Sequence, residues 1–331
     1  MRIVLCYPVQ PQHLQKIQAA AGDAEVVDAG QQGVAEALLD ADIYCGHAKV
    51  PVPWDDVVSR GRLRWIQSSA AGMDHCLVPS VVASDILVSS ASGVLAKQVA
   101  DHTLALTLGI LRDLPTFFRA QERRDFTRRP TRDLFGATVG LIGLGGNGRL
   151  LADVLSAFEA RILATDWFPE EKPASVAELL PPEGIDSLLP RVDVLILAAP
   201  LTDQTRGLMN ARRLALMPEG SFLVNVARGP LVVEEDLAQA LGGHLRGAAV
   251  DVTEVEPLPE TSPLWGLENM LITPHVGGQR ASRIDDMTDL FCENLRRFRR
   301  GERLVNQVDN RLGFPEPADS LWRLEGRGGA K

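Results

Sequence analysis

The chain has 331 residues, 45% of them apolar, enough to bury two ordinary cores and outside the range of disordered or fibrous chains. Its 34 basic residues face 43 acidic ones, and a net charge of −9 argues against nucleic acid as a partner, because affinity for phosphate backbones rests on excess Lys and Arg. Cys6, Cys45, Cys76 and Cys292 form no CxxC pair and have no His at metal spacing. They are expected to be free thiols in a reducing, cytoplasmic compartment, with neither disulfide nor metal. No apolar run approaches bilayer length, and the segment from Met1 turns at Pro8 before it could serve as a signal core, so no membrane association is expected.

In chain order, the first hundred residues alternate short β-rich runs (Ile3 to Tyr7, Ala24 to Val27, Ile43 to Cys45, Leu63 to Gln67, Ile86 to Ser89) with helical stretches, as in a small parallel α/β unit. Val99 to Phe117 is apolar nearly all round and predicts one long buried helix. Arg119 to Arg132 is charged without a sustained apolar period and is expected to be an exposed connection. A second series of strands follows: Thr138 to Ile142, Arg161 to Thr165, Val194 to Leu197, Phe222 to Asn225, Ala248 to Val252 and Leu271 to Thr273. Runs apolar on both faces and separated by helices indicate a parallel sheet covered on both sides, hence a doubly wound α/β architecture. Ser282 to Arg300 carries Ile284, Met287, Leu290, Phe291, Leu295 and Phe298 at helical spacing and is expected to return to the first domain. The tail after Asn310 is expected to be loosely held.

Gly143, Gly145, Gly146, Asn147 and Gly148 lie in a G-x-G-x-x-G run directly between a predicted strand and a predicted helix, the context that marks a dinucleotide fingerprint. The glycines permit a tight turn, close approach to a pyrophosphate and close packing of helix on strand. Asp166, eighteen residues past Gly148 at the end of the next strand, can accept hydrogen bonds from ribose hydroxyls and repel a 2′-phosphate. Trp167 and Phe168 offer no cation in its place, so NAD is expected in preference to NADP.

Arg228 follows the fourth predicted strand of this series, at a carboxyl edge where such sheets bind ligands, and its planar guanidinium can clamp a carboxylate through two parallel bonds. His275 and Glu256 follow the last two strands. A carboxylate on one imidazole nitrogen fixes the tautomer and leaves the other nitrogen to exchange a proton with a carbonyl or hydroxyl oxygen. His102 is expected to be a core or interface residue and His47 a solvated loop residue. Arg296, Arg297, Arg299 and Arg300 read as the wet face of a helix rather than a nucleic-acid contact.

Thr138 to Gly148, Pro200-Leu201-Thr202, Asn225 to Gly229, Asp251 to Pro259 and Thr273 to Gly278 together resemble the D-isomer-specific 2-hydroxyacid dehydrogenases, as do Ala71 to Asp74 and Val99 to Leu106. The resemblance implies an NAD-binding Rossmann domain, residues 101–281, inserted into a flavodoxin-like substrate domain made of 1–100 and 282–331. It implies a small 2-oxo or 2-hydroxy acid as substrate, Arg228 as carboxylate clamp, His275 as acid/base, and Glu256 as the partner that raises its proton affinity. Backbone amides of Ser69, Ala70, Ala71 and Gly72 would bind the substrate carboxylate. Pro200, Thr205, Asp251, His275 and Gly277 would join the fingerprint in contacting the cofactor, Asp251 facing the nicotinamide amide. A homodimer is also implied.

Departures bear on substrate choice. Leu77 stands where many members have Asp, Thr253 where an aromatic is common, and Gln279-Arg280 where smaller residues are frequent. Phosphoglycerate-specific relatives carry an Arg on the loop after the third strand, which here reads Cys45-Gly46-His47-Ala48-Lys49. Glyoxylate or hydroxypyruvate is therefore expected over a phosphorylated substrate. The alternatives are a phosphoglycerate dehydrogenase, an NAD-sensing corepressor-like protein of the same fold, and another dinucleotide-fold enzyme such as a methyltransferase; the last gives no reason for Arg228, Glu256 and His275 to occur in this order.

Overall fold

Apolar side chains alternate between the two faces of each central strand, and this alternation builds two separate sheets with a core on either side. The computed structural model describes residues 1–323. Its chain divides into a first unit, Met1–Leu95 with the segment from Arg280 onward, and a second unit, Ala96–Gln279.

The first unit holds β1 (Arg2–Cys6), β2 (Glu25–Asp28), β3 (Ile43–Gly46), β4 (Trp65–Ser68) and β5 (Leu87–Ser89), all parallel, in the order β2-β1-β3-β4-β5. Between them run α1 (Pro11–Ala21), α2 (Gly30–Ala37), α3 (Trp54–Arg60) and α4 (Pro79–Val82). Ile3, Leu5, Ile43 and Trp65 belong to one core, and Val4, Cys6, Tyr44 and Ile66 to the other.

The second unit carries β6 (Thr138–Ile142), β7 (Arg161–Thr165), β8 (Val176–Leu180), β9 (Val194–Leu197), β10 (Phe222–Asn225), β11 (Gly247–Val250) and β12 (Met270–Ile272). Its helices are α5 (Ala96–Leu111), α6 (Leu114–Glu122), α7 (Gly146–Ser156), α8 (Ile185–Leu188), α9 (Ala211–Leu214) and α10 (Glu234–Leu241). The seven parallel strands stand in the order β12-β11-β10-β9-β6-β7-β8. Strand order reverses between β6 and β9, the switch point where an open α/β sheet leaves a crevice at its carboxyl edge. Leu141, Ile162, Val194 and Ile196 face one core and Ile142, Leu163, Leu195 and Leu197 the other. Helix α11 (Arg283–Arg300) belongs to the first unit, where it lies on α1 and stacks Phe291 and Phe298 on Trp65 at 5.4 and 5.3 Å.

Four expectations need correction. The helix read as Val99 to Phe117 is two helices, because Asp113 adopts a left-handed φ of 56° and Pro115 lacks the N–H to continue a helix from upstream. The expected boundary at residue 100 falls within α5, a continuous helix from Ala96. Strand β8 was not foreseen; it is an edge strand with only Val176 fully buried, so it lacks a run apolar on both faces. The tail is tied down as far as it is described: β13 (Val308–Asp309) pairs with β14 (Phe314–Pro315), Arg303 reaches Asp319 at 2.8 Å, and the Asn306 amide donates to the Asp319 carbonyl at 2.7 Å. The rest of that tail, 324–331, lies outside the described residues.

Candidate active site

The turn after β6 is built for close approach. Gly143 has a φ of +99°, and a Cβ there would stand 2.7 Å from the Ala199 nitrogen. A Cβ on Gly148 would come within 2.2 Å of the Gly143 carbonyl oxygen, so only glycine lets α7 start directly against the turn. At Gly145, the residue preceding α7, a Cβ would meet nothing within 4 Å. A helix N-terminus with unpaired amides therefore opens onto space that no side chain fills, which suits a pyrophosphate. Asp166 closes the turn from β7: its Oδ2 accepts from the Leu144 amide at 2.6 Å and its Oδ1 from the Phe168 amide at 2.9 Å. Gly146 and Asn147 open α7. Thr205 Oγ1 donates to the Pro200 carbonyl at 2.7 Å and accepts from the Thr202 amide at 2.8 Å, shaping the loop after β9. These residues fit a dinucleotide.

Beside them, three loops at the carboxyl edge carry the remaining groups. After β10, the Asn225 side chain folds back, Nδ2 donating to the Arg228 carbonyl at 2.9 Å and Oδ1 accepting from the Ala227 amide at 3.1 Å. This presents the Arg228 guanidinium, which also donates to the Ala227 carbonyl at 2.8 Å. A Cβ on Gly229 would lie 1.9 Å from the Thr253 carbonyl carbon, so the loop after β10 lies backbone to backbone against the loop after β11. That second loop is held in turn: the Thr253 amide donates to Glu256 Oε1 at 3.2 Å, and the Glu254 amide donates to Glu234 Oε1 at 2.5 Å. Burial pushes the Glu234 carboxyl above the usual carboxylate range. Glu256 Oε2 then meets His275 Nδ1 at 2.8 Å. Both side chains are partly open, 39% and 47% exposed, and the bond through Nδ1 leaves His275 Nε2 outside the pair.

Asp251 is 3% exposed and accepts four donors: Thr273 Oγ1 at 2.6 Å, the Val276 amide at 2.9 Å, the Gly277 amide at 2.8 Å and His102 Nε2 at 3.1 Å. A carboxylate offers about four acceptor sites. A nicotinamide amide would compete with these donors.

In the first unit, the loop after β4 offers less than expected. The Ser69 amide is taken by the Gly46 carbonyl at 3.2 Å and the Ala70 amide by Ser68 Oγ at 3.0 Å. Of the four amides, those of Ala71 and Gly72 meet no acceptor among the described residues. His47 is not simply a solvated loop residue: its ring stacks on that of His75 at 4.0 Å, and His75 Nε2 lies 3.3 Å from Ser68 Oγ. His102 is half-buried but has specific polar partners, Asp251 and Thr273, which a reading as core or interface missed. No local signal joins a helix residue at 102 to a strand end at 251; only the fold does.

Among the described residues, no three His, Cys, Asp or Glu side chains are grouped to hold a metal ion, and no helix is long and apolar enough to cross a membrane.

Known proteins resemble this chain along most of its length. Residues 104–277 match the family model for the NAD-binding domain of D-isomer-specific 2-hydroxyacid dehydrogenases. A D-3-phosphoglycerate dehydrogenase of Methanocaldococcus jannaschii is 31% identical over 316 residues, covering 94% of this chain but 59% of the relative, so the chain spans little more than half of that protein. A glyoxylate reductase of Thermofilum pendens is 33% identical over 72% of this chain and 73% of its own length. The structure of a D-isomer-specific 2-hydroxyacid dehydrogenase from Xanthobacter autotrophicus Py2, in complex with NADPH and MES, superposes with a TM-score of 0.79 at 31% identity over 95% of this chain and 99% of that one. An NADPH-dependent glyoxylate/hydroxypyruvate reductase from Sinorhizobium meliloti, in complex with NADP and sulfate, gives a TM-score of 0.80 at 26% identity over 95% and 99%. With residues 104–277 matching the family model and relatives at least 31% identical along most of its length, the chain belongs to the D-isomer-specific 2-hydroxyacid dehydrogenase family.

Proposed function

We propose that this chain reduces a small 2-oxo acid of the glyoxylate or hydroxypyruvate type to its D-2-hydroxy acid, with His275 as acid/base. The observation that carries the reading is the 2.8 Å Glu256–His275 pair, whose Glu256 loop is packed against the backbone that presents Arg228. Arg228 holds the substrate carboxylate. His275 Nε2 gives its proton to the carbonyl oxygen, while Glu256 holds the ring through Nδ1 and balances the imidazolium charge. The Gly143 to Gly148 turn and Asp166 hold the dinucleotide, which when bound supplies the hydride to the 2-oxo carbon.

NAD is proposed over NADP because Asp166 brings a carboxylate where a 2′-phosphate would need a cation. The two solved relatives above were crystallised with NADPH or NADP, so this is the point most open to test. A second reading, oxidation of D-3-phosphoglycerate, draws on the M. jannaschii relative; the loop after β3 supplies His47 and Lys49 but no Arg for a phosphate. A homodimer in the cytoplasm is also proposed. Self-association is supported by Phe118, Phe126 and Phe135 of the second unit, which are 56%, 98% and 64% exposed. A panel of glyoxylate, hydroxypyruvate, pyruvate and, in the oxidative direction, D-3-phosphoglycerate, each run with both nicotinamide cofactors and followed by absorbance, tests the assignment. Turnover confined to phosphoglycerate would exchange the two readings, and no turnover of any 2-oxo acid would remove the first.

A further inference from the structure

We infer that His102 is a positioning residue for His275, acting through Thr273 and Asp251. The inference rests on the proposed role of His275 but is built from bonds within the second unit alone.

His275 occupies an uncommon backbone state. Its φ is 54°, in the left-handed region that few residues other than glycine occupy, although histidine enters it more readily than most. The holding groups can be named. The His275 amide donates to the Asp251 carbonyl at 2.7 Å, and the next two amides, Val276 and Gly277, donate to Oδ1 and Oδ2 of the Asp251 carboxylate. Thr273, two residues before His275, joins the same carboxylate at 2.6 Å. The turn from Thr273 to Gly277 is thus wrapped around one buried carboxylate, and the backbone angle of His275 follows from where that carboxylate stands.

What fixes the carboxylate from outside the turn is His102, on α5. Its Nε2 is 2.9 Å from Thr273 Oγ1 and 3.1 Å from Asp251 Oδ1. The Thr273 hydroxyl has a single proton, committed to the shorter bond with Asp251, so it can only accept from His102. His102 therefore carries a proton on Nε2 and donates it to both oxygens. The ring also shapes the turn by contact: a Cβ on Gly277 would stand 2.9 Å from Asp251 Oδ2 and 3.3 Å from His102 Cδ2, leaving room for hydrogen only. An imidazole on α5 is in this way the strut against which the His275 turn is set. It touches neither the proton that His275 transfers nor the Glu256 bond. Its effect is on where His275 points.

His102→Leu removes the donor while keeping an apolar body; His102→Gln returns an N–H at a similar reach; Thr273→Val removes the relay hydroxyl with little change of volume. The first measurement needs no turnover: long-range proton–nitrogen spectra of the 15N-histidine-labelled protein, with the His275 ring assigned by its loss in His275→Asn. The wild type and His102→Gln should give one matching His275 signal pair, and His102→Leu and Thr273→Val should shift or split it. In reduction of the best 2-oxo acid, His102→Leu and Thr273→Val should lower kcat by about ten- to a hundredfold, as expected of a misplaced reacting group. KM should stay within roughly threefold, the solvent isotope effect on kcat should rise as proton transfer becomes limiting, and His102→Gln should recover most of the loss. A lost hydrophobic contact would lower thermal stability without this split between kcat and KM and without rescue by Gln. If His102→Leu fails to fold, His102→Phe, which keeps a ring and removes the donor, decides. Unchanged His275 signals and turnover in the folded variants, or a His102→Gln as impaired as His102→Leu, would overturn the inference. Shifted His275 signals in a protein that reduces no 2-oxo acid would leave the positioning role standing and remove the proposed reaction.

Discussion

The turn after β6 and the loops after β11 and β12 sit on one sheet edge, yet they are made by opposite means. The first is shaped by missing side chains: Gly143 and Gly148 fit because backbone fills the place of a Cβ, and Gly145 faces open space. The second is shaped by side chains that are present and saturated, with Asp251 gathering four donors and the half-exposed Glu256 and His275 poised at the rim. A backbone-built site should fail by collision and tolerate changes around it. One built from side chains should fail by loss of a partner, and through residues far away in sequence.

The largest effect should come from removing the proposed proton donor. His275→Ala is expected to lower kcat by about 10²–10⁴-fold at every pH, the usual worth of general acid catalysis, while Glu256→Gln should lower it less because the ring keeps a hydrogen-bond partner. Steady-state kinetics check both, and near-normal turnover in His275→Ala would mean that the proton comes from elsewhere. Next in size, Arg228→Ala removes charge-assisted bonds of roughly 1.5–3 kcal/mol, raising KM by about ten- to a hundredfold with a further fall in kcat from poor alignment.

The glycine turn offers a sharper contrast with a smaller signal. Gly148→Ala should destabilise the fold by about 1–3 kcal/mol, since its Cβ would press on a backbone oxygen at 2.2 Å. Gly145→Ala should leave stability within about 0.5 kcal/mol and weaken the dinucleotide instead. Thermal unfolding and NADH fluorescence titration separate the two. If both variants lose stability, the space before α7 is not open in the way described. Asp166→Ala should weaken NADH more than NADPH, by about tenfold, or near 1.4 kcal/mol, with part of the loss shared by both because Asp166 also anchors the Leu144 and Phe168 amides.

The smallest effect concerns the thiols. All four cysteines are buried, and burial pushes Cys292 up to about 11 and Cys45 and Cys76 well above the ordinary thiol range. The reactive thiolate is thus scarce at pH 8 in the folded chain, and a disulfide reagent should modify the native protein slowly and four thiols after denaturation. Rapid labelling of the native chain would show an opening of the first unit that its packing does not suggest.

How far the sequence was legible follows the same division. Glycine turns declare themselves because backbone shape restricts residue type locally, so the run from Gly143 to Gly148 between strand and helix is legible in the sequence alone. The alternating cores were equally open, since residues apolar on both faces of Thr138 to Ile142 or Val194 to Leu197 admit few readings. Edge strand β8 was hidden by its polar outer face, and the break at Asp113 by an apolar run that continues across it. His102 was hidden most deeply, because its partners stand 149 and 171 residues away and its own neighbours on α5 spell an ordinary apolar helix. Among the Ser69 to Gly72 amides, internal bonding of Ser69 and Ala70 could not be foreseen without Gly46 and Ser68 in space.

The first unit is sewn from both sides of the second. Phe291 and Thr288 on α11 meet Trp65 and Tyr7, the latter pair 281 residues apart. During synthesis, β1 to β5 must therefore wait for the whole inserted unit to be made before one face of their sheet, which α1 covers only in part, is complete, whereas the inserted unit has its own strands and cores in one continuous stretch. Domains made of contiguous chain fold as units while translation proceeds, and long-range closures come late. The order of emergence from the ribosome thus favours a finished dinucleotide unit carrying an unfinished companion, whose apolar strands β1, β3 and β4 are the surface a chaperone would have to guard.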